Sequence, residues 1–236
     1  MVLPFAASIF LTAKNKADRF VSFICGCAML VCLVLTYSRG CYLGLLVSAA
    51  AFLVLIDRRF LLLGILGLFA LPFVLPDTIL NRFLSIGNME DSSTSYRVYI
   101  WMGTLAMLKD YWFSGIGPGT GAFNKVYPFY TYHSVSAPHS HNLFLQIFCD
   151  AGVIGFMVFA SIIWMFYRLG FRAVSVEKNW REKIHLIAGI SAISGFMVQS
   201  LTDYTFYNYR VMLLFWAVLG LTAALAHMCM HREEGK

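Results

Sequence analysis

Residues 142–167, NLFLQIFCDAGVIGFMVFASIIWMFY, carry one charged side chain, Asp150, in an otherwise apolar run. A helix rises about 1.5 Å per residue, so about 20 such residues cross a hydrocarbon layer about 30 Å thick. This run is long enough to span a membrane. Working outward, the same reading applies to Phe20 to Tyr37, Cys41 to Ile56, Phe60 to Leu75, Ile184 to Leu201 and Val211 to Met230. Of the 236 residues, 59% are hydrophobic and 13% charged, where soluble chains carry about a quarter charged. The sequence therefore predicts an all-α, polytopic integral membrane helical bundle forming one membrane domain. Residues 13–75 are expected to hold three spans and residues 142–236 three more with a cytoplasmic tail. Val2 to Leu11 is too short to span and lacks the features of a signal peptide. It reads as a partial helix over residues 1–12, so the chain is expected to be the C-terminal portion of a longer protein.

The net charge of +6 does not indicate nucleic acid, because the basic residues are scattered between apolar runs and form no stripe with interleaved aromatics. Cys25, Cys27, Cys32, Cys41, Cys149 and Cys229 lie in or beside those runs without CxxC spacing, and read as small buried hydrophobes. Lys and Arg collect in cytoplasmic loops. Threading the spans from a cytoplasmic start puts twelve of the 18 Lys and Arg inside, among them Lys14, Arg58, Arg168, Arg172 and Arg181. The long loop over residues 76–141 then lies outside, where an aqueous or interfacial site can be built.

That loop begins with the polar stretch Asn88 to Ser95. Arg97 to Leu108 follows, with Val98, Trp101, Met102, Leu105 and Leu108 at helical spacing, as in a helix lying in the interface plane. GIGPGTG, residues 115–121, comes next. It lacks the preceding strand and following Lys-Ser/Thr pair of a nucleotide loop, and reads as a tight turn. Tyr127, Phe129, Tyr130 and Tyr132 then suit either the headgroup level or stacking on sugars.

His141, at the mouth of the fourth span, is the leading candidate for chemistry, since imidazole is the side chain suited to taking a proton from a hydroxyl near neutrality. The bland alternative is a histidine that merely solvates a helix end. On an ideal helix Leu145, Phe148, Gly152 and Gly155 share its face, and the two glycines would let a neighbouring helix approach beneath it. His139, with His133 further off, raises a metal pair, but no adjacent carboxylate or cysteine completes a ligand set. Arg39, in the short turn Ser38-Arg39-Gly40, and Arg97 are placed to hold an anion such as a lipid phosphate or diphosphate. Either can instead be a headgroup anchor, and Arg210, at a helix end, fits that role better. Asp150 falls about 180° from His141 on the same helix, facing a protein neighbour. Asp203, beside Tyr204, is a second outer carboxylate.

Four features together resemble the O-antigen ligase and polymerase family of bacterial envelope proteins. They are Thr36-Tyr37-Ser38-Arg39-Gly40, Arg97 four residues before Trp101, Gly115-Ile116-Gly117-Pro118-Gly119, and His141-Asn142 followed by nine residues, Gly152 and then Gly155. Asp203-Tyr204 and Phe215-Trp216 are also familiar, so the resemblance runs from about Tyr37 to Leu221. Two features depart from it: the family usually has about a dozen spans, and Asp150 stands where a glutamate is common. The resemblance implies a metal-independent inverting glycosyltransferase with the integral-membrane, GT-C-like architecture of enzymes that use lipid-phosphate sugar donors, requiring no cofactor. It would sit in the bacterial cytoplasmic membrane and move a glycan from undecaprenyl diphosphate to a sugar hydroxyl on another glycan, on lipid A core or on protein. His141 would activate the acceptor, Arg39 and Arg97 would bind the donor diphosphate, and His139, Asn142, Asp203 and Arg210 would support them. Two other readings stand beside this one, a lipid-linked saccharide transporter or flippase and an inactive truncated remnant. The absence of an internal repeat tells against the former.

Overall fold

A computed structural model of the chain describes residues 1–62, 64–66 and 92–234. Most of the expected third span, Arg82, and Asn88 to Asp91 of the polar stretch lie outside the described residues. Those described contain eight α-helices and no strand: α1 (Leu3–Thr12), α2 (Lys16–Val34), α3 (Arg39–Ile56), α4 (Ser92–Tyr111), α5 (Thr120–Val126), α6 (Leu143–Val176), α7 (Trp180–Gln199) and α8 (Tyr209–Glu234). Among them α2, α3, α6 and residues Tyr209–Arg232 of α8 are long and apolar enough to cross a membrane. The protein is a polytopic helical membrane protein.

The core forms around α7, which packs against α1, α3, α6 and α8. Ile184, Leu186, Ile187, Ile190 and Ile193 are at most 1% exposed. This helix opens on Arg181, Glu182 and Lys183 and carries Ser191, Ser194, Gly189 and Gly195, so it is less apolar than its neighbours, which shield it. Packing of helices in lipid rests on close approach and on hydrogen bonds between helices. Both occur here. A Cβ on Gly44 of α3 would fall 2.7 Å from the Gly195 carbonyl oxygen, so the backbones cross where only glycine fits. On the α6 side, the Tyr167 and Ser194 hydroxyls are 3.0 Å apart. By contrast α2 turns Phe20, Val21, Phe23, Ile24 and Val31 outward, as a lipid-facing helix does.

The reading of α6 as one continuous helix is corrected by Gly152, whose φ of 62° and ψ of −167° break it. The turn after α4 enters this break. Ile116 N–H donates to the Cys149 carbonyl (2.7 Å) and Val153 N–H to the Trp112 carbonyl (2.9 Å). Each segment thus satisfies polar groups that the other leaves open, as burial requires. A Cβ on Gly152 would collide with the Phe113 carbonyl. The glycine therefore admits a loop, where the ideal-helix reading had a neighbouring helix approach. Gly115, Gly117 and Gly119 have φ of 68°, 95° and 92°, values favoured by glycine in tight turns. Two separated glycine patterns are in this way parts of one joint, which fixes α4 to α6.

Candidate functional site

Four segments meet at the end of the bundle where α6 begins. Asn142 caps α6, its Oδ1 accepting from the Phe144 and Leu145 N–H groups at 2.9 and 3.0 Å. Its Nδ2 donates to the Leu201 carbonyl (2.8 Å), and Leu143 N–H donates to the Ser200 carbonyl (2.9 Å). The start of α6 is thereby stapled to the end of α7. This brings His141 Nδ1 to 3.4 Å from Asp203 Oδ1, an ion-pair contact longer than a good N–H···O hydrogen bond. The pairing holds the Asp203 carboxyl below its usual range, first through His141, while partial burial opposes it.

His141 has a φ of 49°, in the left-handed region that non-glycine residues rarely occupy. Its neighbours hold it there. His141 N–H donates to His139 Nδ1 at 3.2 Å, and the two rings lie 4.2 Å apart. His139 is 7% exposed, with the Tyr204 and Tyr207 rings at 5.4 and 5.1 Å. Its pKa is pushed down to about 4, chiefly by burial and then by the charge of His141, against the opposing pull of Asp203. His139 is thus a neutral prop for the backbone of His141.

Arg39 and Arg97 converge on a cavity of about 550 Å³, whose walls include Tyr37, Trp101, Thr202 and Asp203. Arg39 stands at the first position of α3, where the positive end of the helix dipole adds to its charge. Its Nη1 donates to Thr94 Oγ1 (3.0 Å), tying α3 to α4. Arg97 Nη1 donates to Ser93 Oγ (2.8 Å). Arg97 Nε and Trp101 Nε1 are buried with no hydrogen-bond partner among the described residues. Among the described residues the two guanidiniums, the N-terminus of α3 and the Asp203 carboxylate line this cavity, and Leu43, Val98 and Trp101 give it an apolar side. Tyr37, like His141, has a positive φ, 51°. Strained residues of this kind gather at functional sites because only a well-determined surrounding holds them.

Arg210 does not line this cavity. It is exposed, with its guanidinium carbon 5.8 Å from the Tyr209 ring centroid. His133 packs against the Tyr99 and Tyr132 rings, with centroids at 4.8 and 4.7 Å. Among the described residues the metal-capable triad is Glu177, Glu182 and Cys229, far along the chain from these histidines. Asp150 accepts from Gln146 Nε2 (2.8 Å), with the Gly119 backbone near it.

Gln146 escaped the sequence reading. It is fully buried, and its Oε1 accepts from Ser140 N–H at 2.8 Å, so it joins the histidine loop to Asp150 and the glycine turn. Also missed was the small-residue stripe Gly40, Gly44 and Ser48 on α3. A Cβ on Gly40 would collide with Thr202 Oγ1. The four-residue spacing of small side chains was its available signal.

A comparison with curated proteins found no match. The family model described as O-antigen ligase matches residues 24–160, more than half of the chain. The matched stretch holds Arg39 and Arg97 of the cavity, the histidine loop with His139, His141 and Asn142, and Gly152 of the joint. With that match across the helical framework just described, the chain belongs to the O-antigen ligase family.

Proposed function

We propose that the protein transfers a glycan from an undecaprenyl diphosphate-linked donor to a sugar hydroxyl, at the outer face of the bacterial cytoplasmic membrane and without a metal. Family membership supports glycan transfer of the ligase or polymerase type at a membrane. The observation that carries the finer reading is the shared cavity of Arg39, Arg97 and Asp203, with His141 in contact with Asp203.

The chemistry follows from the charges. The acceptor oxygen attacks the anomeric carbon of the donor from the face opposite the diphosphate, which inverts that centre. The carbon–oxygen bond to the phosphate breaks, and its electron pair leaves with the diphosphate. Arg39 and Arg97 offset the charge that accumulates there, an interaction strongest in the transition state. Arg97 Nε and Trp101 Nε1 lack partners among the described residues, and an unsatisfied buried donor costs about 1–3 kcal/mol. Oxygens of a diphosphate or sugar would satisfy them. His141 takes the acceptor proton. A proton on Nδ1, 3.4 Å from Asp203, would leave Nε2 as the basic nitrogen, and the carboxylate would favour the imidazolium that forms.

The test is transfer from an undecaprenyl diphosphate-linked oligosaccharide to an acceptor glycan, in membranes carrying the wild-type chain or His141→Ala, with a metal chelator present. Activity confined to the wild type is expected. Full turnover by His141→Ala would remove the histidine from the mechanism, and loss of wild-type activity to the chelator would remove metal independence.

A further inference from the structure

At the end of α6 remote from His141, a groove of about 450 Å³ runs between α6 and α8, lined by Ile162, Phe166 and Leu169 on one side and Leu219 and Ala223 on the other. Arg168 and Arg172 border it. Four residues apart on one helix, their side chains rise from the same face about 5–6 Å apart at Cβ. Neither guanidinium has a hydrogen-bond or ion-pair partner among the described residues. Asp150 is the one acidic residue of α6, and α8 has none before Glu233, so the charge of the pair is left unbalanced by both helices that form the groove.

The groove continues through Ile162 and Met165 into a shallower apolar hollow of about 420 Å³ that reaches Val153. From Val153 to Leu169 this track is about 24 Å long at about 1.5 Å per residue, the length of an extended acyl chain. Beyond the break at Gly152, the helix runs about 22 Å from Val153 to Arg168, so the arginine pair lies toward the end of α6 remote from the cavity of Arg39 and Arg97.

We propose that this groove binds one anionic diacyl phospholipid, with its phosphate held by Arg168 and Arg172 and an acyl chain lying along α6. The charge of the pair selects the headgroup. A choline lipid carries its own cation beside the phosphate and gains less from two guanidiniums. A phosphatidylglycerol phosphate offers uncompensated oxygens to both. Simple snorkelling of two independent arginines would make no use of the apolar track between the helices, and so would be insensitive to filling it.

The experiment uses the purified full chain in a neutral detergent, with phosphatidylglycerol or phosphatidylcholine added, and reads bound lipid by native mass spectrometry and the unfolding temperature in parallel. One retained phosphatidylglycerol and a larger rise in unfolding temperature with that lipid are expected. At about fivefold for each arginine near a membrane surface, the double variant Arg168→Gln/Arg172→Gln should weaken phosphatidylglycerol binding about thirtyfold. Ala223→Phe should also reduce occupancy while leaving both arginines in place. A monodisperse size-exclusion profile identifies folded variants, and either variant suffices. Equal effects of the two lipids, unchanged binding by the double variant, or unchanged binding by Ala223→Phe would each overturn the proposal. None of these readouts depends on glycan transfer.

Discussion

The left-handed backbone of His141 makes a prediction that separates its side chain from its main chain. His141→Ala and His141→Gly delete the same imidazole and leave the same space beside His139 and Asp203, so their difference reports the backbone alone. Alanine at a φ of 49° bears a steric cost of about 1–2 kcal/mol that glycine escapes. Glycine in turn loses about 0.5–1 kcal/mol more chain entropy on folding. The balance leaves His141→Gly the more stable by about 0.5–1 kcal/mol, or about 1–4 °C in unfolding temperature for a chain of this size. At His227, exposed within α8, the order should reverse, since glycine costs about 1 kcal/mol relative to alanine in a helix interior. The assay is thermal unfolding followed by circular dichroism in one detergent. Both His141 variants should transfer glycan about 10²–10⁴-fold more slowly, the usual worth of a positioned base. Alanine equal to or better than glycine at position 141 would refute the strained-turn argument. Retained transfer by either variant would refute the base.

His139, neutral until its pKa of about 4, should make the fold acid-sensitive. Because its ordinary value is higher, near 6.5, protons favour the unfolded chain as pH falls from about 6.5 to about 4, and the stability His139 confers is full above that window. His139→Gln should unfold with a shallower pH dependence over that interval, measured by unfolding temperature; an unchanged slope would contradict the burial argument. Arg39→Lys should weaken donor binding about tenfold, because an ammonium cannot hold two phosphate oxygens at once; titration with a lipid diphosphate checks this. Asp203→Asn should slow transfer at least about tenfold with little change in donor affinity, since it removes the carboxylate partner of the imidazolium; a pure loss of affinity would move Asp203 to the binding side. Gly44→Leu should destabilise the bundle by about 1–3 kcal/mol or more by driving a side chain into the Gly195 carbonyl, read as earlier thermal aggregation.

The spanning runs were legible because hydropathy over about 20 residues reports what lipid demands, and α2, α3, α6 and α8 lie under the runs expected for them. Hydropathy does not distinguish a helix facing lipid from one enclosed by protein, so the central place of α7 was not legible. Its serines and glycines are what its neighbours pack upon. Arg39 and Arg97 could be read as anion ligands from type and depth, while their meeting in one cavity depends on contacts across 55 residues, such as Arg39 to Thr94. The helical wheel failed at His141 for a local reason. Asn142 caps α6, so the histidine lies outside the helix and owes its direction to a turn. Gln146 was illegible for the opposite reason: a lone glutamine in an apolar run matches no pattern until its partners, Ser140 and Asp150, are known.

The site also shows why its parts need a common anchor. In the proposed reaction a proton acceptor and two anion ligands on separate segments act together only if their spacing is held to a fraction of an ångström before the substrate arrives. The end of α7 supplies most of that constraint. The Gly44–Gly195 crossing sets the height of α3 and hence of Arg39, the bonds from Asn142 and Leu143 to Leu201 and Ser200 set the start of α6 and hence His141, and Asp203 follows in the same turn. Arg97 is held differently. Its helix, α4, is tied by the Arg39–Thr94 bond and by the turn seated in the Gly152 break. The histidine, its carboxylate and one arginine therefore form a unit built on the buried core, while the second arginine comes from a helix locked to that unit through a glycine joint. Substitution of Gly152 would act on transfer through this joint without touching the cavity, because the displaced part would be the helix carrying Arg97.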